Sequence, residues 1–91
     1  MITVYSKNNC PYCDQAKNYL QVKDISFREI NIEQDSDARE FIQSQGLRTV
    51  PQIFMDGKIF VEGGWSGLSK MSAEEIRSEI DLRNSLADQT L

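Results

Sequence analysis

Two cysteines separated by two residues, Cys10 and Cys13, have the types and spacing best suited to chemistry in this chain. They follow a β-rich segment, and Pro11 between them suits the first position of a helix. A helix start offers unpaired backbone N–H groups and a partial positive charge. Both stabilise a thiolate and lower a cysteine pKa from about 8.5 to between about 3.5 and 7.5. The spacing therefore predicts a redox-active dithiol.

The two cysteines are not expected to be equivalent. Cys10 precedes Pro11 at the predicted helix cap and can face solvent, whereas Cys13 shares an apolar stripe with Ala16 and Leu20. We assign Cys10 as the attacking thiolate and Cys13 as the resolving thiol. Attack by Cys10 on a disulfide gives a mixed disulfide, and Cys13 then displaces the bound thiol and leaves a Cys10–Cys13 disulfide.

Other uses of the cysteine pair remain as alternatives. The chain has no histidine and only two cysteines, so a zinc site within one chain lacks ligands, and no metal is expected. A metal shared between two chains, an iron–sulfur cluster that bridges two chains through Cys10, and a binding module with inert cysteines stay open.

The hydrophobic pattern predicts the element order β-α-β-α-β-β-α. The second strand is predicted over Ile25 to Ile32, and Asp35 or Ser36 is expected to cap the second helix, which ends at Gly46. Several shorter signals fix the remaining elements: the strand Ile2 to Tyr5, the hairpin Gln52 to Val61 with Asp56-Gly57 at its turn, and the capping box of Ser72 and Glu75. The expected fold is α/β, with a four-stranded mixed sheet flanked by three helices in one domain spanning residues 1–91.

The composition limits the classes of partner that this chain is expected to bind. The net charge of −4 disfavours nucleic-acid binding, and no segment is apolar enough for a membrane span. No signal peptide follows Met1, so a cytoplasmic setting is expected, and nothing in the pattern argues against a monomer. Lys7, Lys17 and Arg48 lie near the motifs. They form either a local site for an anionic ligand or acidic partner, or three solvated side chains.

Three motifs resemble those of dithiol glutaredoxins. They are Cys10-Pro11-Tyr12-Cys13, Thr49-Val50-Pro51 and Gly63-Gly64. The resemblance implies a thioredoxin-like fold, a cis peptide bond between Val50 and Pro51, and glutathione as co-substrate.

The same resemblance implies a set of glutathione contacts. Lys7 would face a glutathione carboxylate, Tyr12 would border the reacting sulfur, and Thr49 and Val50 would supply backbone contacts. The remaining members of the implied binding set are Pro51, Gly64 and Ser66. Tyr12 packing only at the helix start and Lys7 lying free in solvent are the alternatives.

The chain departs from glutaredoxins after Gly64. Glutaredoxins commonly carry an acidic residue there, whereas this chain continues with Trp65-Ser66-Gly67-Leu68. That segment resembles the glutaredoxin-like redoxins that serve ribonucleotide reductase and take electrons from thioredoxin reductase. Trp65 is accordingly either an exposed docking residue for a reductase or a core residue.

We therefore expect a glutaredoxin-type enzyme that uses glutathione to reduce protein disulfides or glutathione mixed disulfides. The alternative is a redoxin that is reduced by thioredoxin reductase and donates electrons to ribonucleotide reductase.

Overall fold

The computed structural model describes the backbone of residues 1–88 and the side chains of residues 1–86. It contains four strands and four helices in this part of the chain. They are β1 Ile2–Ser6, α1 Pro11–Val22, β2 Phe27–Asn31, α2 Ser36–Ser44, β3 Gln52–Met55, β4 Lys58–Val61, α3 Trp65–Leu68 and α4 Ala73–Asp88. None of these helices is long and apolar enough to cross a membrane.

The predicted order is confirmed, but the expected number of three helices is wrong by one. The added element, α3, is a single turn of four residues, Trp65–Leu68. Gly63 and Gly64 both adopt positive φ and turn the chain after β4, and Leu68 is completely buried. A helix this short has no hydrophobic period that a sequence could reveal.

The four strands form one mixed sheet in the order β2-β1-β3-β4. β1 is parallel to β2 and antiparallel to β3, and β3 is antiparallel to β4. Asp56 and Gly57 have φ values of 52° and 79°, as the two central residues of a type I′ hairpin require. The sheet therefore places the end of β1 beside the start of β3, and the loops at this edge bring the Cys10–Cys13 motif close to the Thr49–Pro51 motif.

β2 is shorter than predicted because Ile25 and Ile32 lie outside it. The N–H of Ile25 donates to Leu20 O at 2.9 Å and so belongs to the end of α1. The N–H of Ile32 donates to Ser6 O at 2.8 Å just beyond the strand.

Helix caps follow the sequence signals. Asp35, rather than Ser36, caps α2 by accepting from the N–H of Ala38 at 3.0 Å. Ser72 and Glu75 exchange side-chain-to-backbone hydrogen bonds of 3.1 and 3.0 Å before α4, which confirms the capping box.

The sheet has an apolar layer on each face. The main core joins residues of β1, β3 and β4 to helices α1, α3 and α4: Ile2, Val4, Ala16, Leu20, Ile25, Ile53, Met55, Phe60, Leu68 and Ile76. A separate cluster joins Tyr5, Phe54 and Phe41 of α2, with ring centroids 5.4 to 5.9 Å apart. These layers hold in place α1 and the loop before β3, residues 45–51, which carry the candidate site.

Candidate functional site

Cys10 is the N-cap residue of α1, as predicted, and it is disulfide-bonded to Cys13. Its extended backbone, with φ −118° and ψ 97°, directs the side chain back over the first helical turn. The backbone N–H of Cys13 donates to Cys10 Sγ at 3.2 Å. This N–H has no partner within the helix, so it is free to stabilise negative charge on that sulfur once the disulfide is reduced.

The two cysteine residues differ in accessibility. Cys10 is 7% exposed and Cys13 is 1% exposed. Cys10 is thus the sulfur that a partner thiol can reach, although it is less open than the sequence suggested. The reason is that Val50 lies against it, with Val50 O 3.9 Å from Cys10 Sγ.

The loop that covers Cys10 has the expected cis peptide bond between Val50 and Pro51. A residue that the sequence analysis missed supports this loop. Gln52 is 5% exposed, and its Nε2 donates to Thr49 O at 2.9 Å and to Thr49 Oγ1 at 3.3 Å. A polar residue at the start of the buried segment Gln52–Met55 is the signal that could have identified it.

A groove of about 360 Å³ runs beside the dithiol. It is lined by Tyr12, Thr49, Val50, Pro51, Gly63, Gly64, Trp65 and Ser66. Six of the seven residues expected to bind glutathione therefore lie together. Lys7, the seventh, is exposed and does not line the groove.

Gly64 allows the Trp65 loop to approach the cis-proline loop closely. It has a φ of 57°, and a Cβ built there would overlap the carbonyl oxygen of Pro51. A residue with a side chain would therefore force the Trp65 loop away from the cis-proline loop.

The aromatic residues of the groove have different environments. Tyr12 is 61% exposed, so it does not serve as packing at the helix start. Trp65 is half-buried, because it packs against the main core while also lining the groove. It is therefore neither a fully exposed docking residue nor a fully enclosed core residue.

The basic residues Lys7, Lys17 and Arg48 have different surroundings. Lys17 is paired with Glu29 at 2.9 Å and with Asp14 at 3.5 Å. Its hydrogen bond to Glu29 is the main reason that the pKa of Lys17 is raised. Arg48 is exposed and lines a second groove, which meets the first at Thr49.

Glu29 also ties α1 to β1. It accepts from Ser6 Oγ at 2.6 Å, and this hydrogen bond is the largest cause of the lowered pKa of Glu29. Among the side chains of residues 1–86, no cluster of three or more from His, Cys, Asp or Glu is arranged to hold a metal ion.

Comparison with known proteins connects this geometry to a family. The family model described as Glutaredoxin matches residues 2–61. Glutaredoxin 3 of Escherichia coli (strain K12) is 43% identical over 58 residues, which cover 63% of this chain and 70% of that protein. Glutaredoxin-like protein NrdH of Lactococcus lactis subsp. cremoris is 39% identical over 72 residues, which cover 79% of this chain and 100% of that protein.

A solved structure is similar over more of the chain. The crystal structure of a buckwheat glutaredoxin–glutathione complex has a TM-score of 0.69 and 27% sequence identity. The match covers 88% of this chain and 76% of that chain. The structural match therefore covers more of this chain than the segment that the family model matches.

Proposed function

The chain belongs to the glutaredoxin family of thiol–disulfide oxidoreductases, and from that premise we propose that it reduces disulfides with electrons from glutathione. Cys10 is the attacking thiolate and Cys13 is the resolving thiol. The observation that carries this assignment is the hydrogen bond from the N–H of Cys13 to Cys10 Sγ, at the more accessible of the two sulfurs.

The reductive half of the cycle follows from this geometry. The Cys10 thiolate attacks one sulfur of a substrate disulfide, and a bond forms to that sulfur as the other leaves as a thiolate. The Cys13 thiolate then attacks Cys10 Sγ, which releases the second substrate thiolate and forms the Cys10–Cys13 disulfide seen in the structure. Two electrons have moved from the dithiol to the substrate.

Two glutathione thiolates restore the dithiol. The first attacks Cys10 Sγ and displaces the Cys13 thiolate, and the second attacks the bound glutathione sulfur and releases glutathione disulfide and the Cys10 thiolate. The groove lined by Tyr12, Val50 and Trp65 is the space beside Cys10 in which glutathione would lie. A glutaredoxin-type reduction potential of about −200 to −230 mV is expected.

The setting that suits this chemistry is the cytoplasm. Its glutathione pool keeps thiols reduced, so a dithiol of this kind would cycle there instead of remaining a permanent disulfide. Protein disulfides, including that of a ribonucleotide reductase, are the proposed acceptors.

A redoxin reduced by thioredoxin reductase is the second candidate. Among the described residues, none of those lining the groove is charged, so the ammonium of the γ-glutamyl group of glutathione would find no carboxylate there. The similarity to NrdH extends over the whole of that protein, which also favours this candidate.

A side-by-side assay separates the two donors. The oxidised protein is incubated with NADPH and either glutathione plus glutathione reductase or thioredoxin reductase, and NADPH consumption is followed with an excess of a protein disulfide. Faster turnover with glutathione is the expected result. Turnover with thioredoxin reductase alone would replace the first candidate by the second, and the Cys10→Ser variant supplies the background rate.

A further inference from the structure

We propose that Tyr19 is a positioning residue that holds Trp65 as a fixed wall of the thiol groove and thereby sets the affinity of the groove for glutathione. This inference rests on the proposed function. Tyr19 does not line the groove itself. It lies in α1, the helix that begins at the dithiol, and it is packed against the main core.

The ring of Tyr19 meets the ring of Trp65 directly. Their centroids are 5.3 Å apart, and the ring planes are inclined at 81°, which is the edge-to-face arrangement that aromatic pairs favour. Among the described residues, Tyr19 is the one aromatic partner found for Trp65. The orientation of Trp65 in the groove therefore depends on the ring of Tyr19 in α1.

The hydroxyl of Tyr19 fixes that ring in turn. It donates to Met71 O at 2.6 Å, and Ser69 O lies 3.3 Å away. Both carbonyls belong to the segment directly after α3, whereas Trp65 is the first residue of α3. One side chain thus contacts both ends of the short helix. Lys23 adds a further restraint, because its Nζ lies 4.3 Å from the centroid of the Tyr19 ring.

The backbone of α3 has supports that do not involve Tyr19. Leu68 is completely buried, and a Cβ at Gly67 would overlap Glu62 O, so the helix lies tightly against the end of β4. Ser69 Oγ also donates to Ser66 O at 3.1 Å. Removing the Tyr19 ring should therefore leave α3 in place but allow the Trp65 side chain to move.

A mobile Trp65 side chain should weaken the binding of glutathione without altering the reaction of Cys10. Glutathione would have to immobilise Trp65 when it binds, and this ordering cost reduces affinity. Cys10 would keep its contact with the N–H of Cys13, which does not involve Tyr19. The expected effect is a KM for glutathione that rises about three- to tenfold, with kcat changed by less than about twofold.

The test uses two variants and the single tryptophan of the chain. Tyr19→Leu removes the ring, and Tyr19→Phe keeps the ring but removes the hydroxyl. Trp65 fluorescence anisotropy reports the mobility of the wall, and steady-state turnover with glutathione reports KM and kcat. Phe41→Leu is the matched control, because it removes a ring from the cluster on the opposite face of the sheet.

The proposal predicts lower anisotropy and a higher KM in Tyr19→Leu, values nearer wild type in Tyr19→Phe, and a wild-type KM in Phe41→Leu. Unchanged anisotropy, or lower anisotropy with an unchanged KM, would overturn it. An equal rise of KM in Phe41→Leu would also overturn it, since that result points to general destabilisation. A wild-type protein that glutathione does not reduce would overturn the proposed function, and the anisotropy arm would still test the positioning role separately.

Discussion

The two walls of the thiol groove differ in how they are built. The start of α1 holds Cys10 Sγ with a backbone N–H and a helix end, and these groups are present in any sequence that forms this turn. The opposite wall, from Gly63 to Ser66, is made of glycines and of two uncharged side chains. We therefore assign the reaction to the first wall and propose that the second wall selects the thiol partner.

The two regions act through different groups. The reaction depends on the backbone N–H of Cys13, which donates to Cys10 Sγ at the start of α1. Partner choice depends on a few side chains, and at this wall the chain lacks a carboxylate beside Gly64. Changes in the first region should affect turnover itself, and changes in the second should affect KM and the choice of donor.

The largest effect is expected from the cysteines. Cys10→Ser should abolish turnover, because a serine hydroxyl does not ionise to a nucleophile near neutral pH. Cys13→Ser should keep the reduction of glutathione mixed disulfides, in which glutathione itself resolves the intermediate, but should lose the dithiol reduction of protein disulfides. Both variants are assayed with a glutathionylated peptide and with insulin. Equal losses on the two substrates would contradict the division of roles.

A smaller but substantial effect is expected at Gly64. Gly64→Ala places a Cβ against Pro51 O and pushes the Trp65 loop away from the cis-proline loop. KM for glutathione should therefore rise about tenfold, and the free energy of unfolding should fall by about 2–4 kcal/mol. Gly46→Ala is the control. Gly46 also has positive φ, but nothing lies within 4 Å of a Cβ there, so it should lose only about 1–2 kcal/mol and keep the wild-type KM. Matching results for the two variants, from urea unfolding and kinetics, would show that the close approach is unimportant.

A carboxylate added to the second wall should strengthen the binding of glutathione. Ser66→Asp introduces the missing carboxylate in the groove, and its attraction to the ammonium of glutathione should lower KM about two- to fivefold at low salt. Ser78→Asp adds the same charge at an exposed position of α4 that does not line the groove, so it should have little effect. An identical KM in all three proteins would mean that glutathione is held elsewhere.

The smallest effect is expected at Glu29, which links α1 to β1 and contributes to the stability of the first wall. The hydrogen bond from Ser6, with a further contribution from Lys17, lowers the pKa of Glu29 in the folded protein. Its stabilisation is therefore complete above the ordinary glutamate pKa of about 4.3 and is lost as the pH falls through the lowered folded value. Glu29→Gln should lower the free energy of unfolding at pH 7 by no more than about 1 kcal/mol, since the pair is partly exposed.

Urea unfolding between pH 7 and pH 3 checks this prediction. Wild type and Glu29→Gln should converge at the acid end, because the protonated carboxyl no longer differs in charge from the amide. A constant difference across this range would indicate that the charge of Glu29 contributes nothing to stability.

The sequence was most informative where local rules decide the structure. The helix cap at Cys10, the Asp56-Gly57 turn and the Ser72–Glu75 capping box each depend on residues within one turn of the chain, and all three are confirmed. The cis bond before Pro51 came from the family resemblance, because local rules give only a low base rate for such bonds.

The sequence was least informative about contacts between distant segments. Tyr19 and Trp65 are brought together by the packing of α1 against α3, and no pattern at either position indicates the other. The hydrogen bond from Gln52 Nε2 to Thr49 O likewise depends on the conformation of the loop before β3. These long-range contacts shape the groove, so the part of the site that we propose selects the partner was also the part that the sequence predicted least well.

The most direct test is the pKa of the Cys10 thiol in the reduced protein, measured in Cys13→Ser by the pH dependence of alkylation with iodoacetamide. That variant keeps the backbone N–H at position 13, which donates to Cys10 Sγ. A pKa between about 3.5 and 7.5 is the predicted result. A pKa near the free-cysteine value of about 8.5 would contradict the assignment of Cys10 as the attacking thiolate.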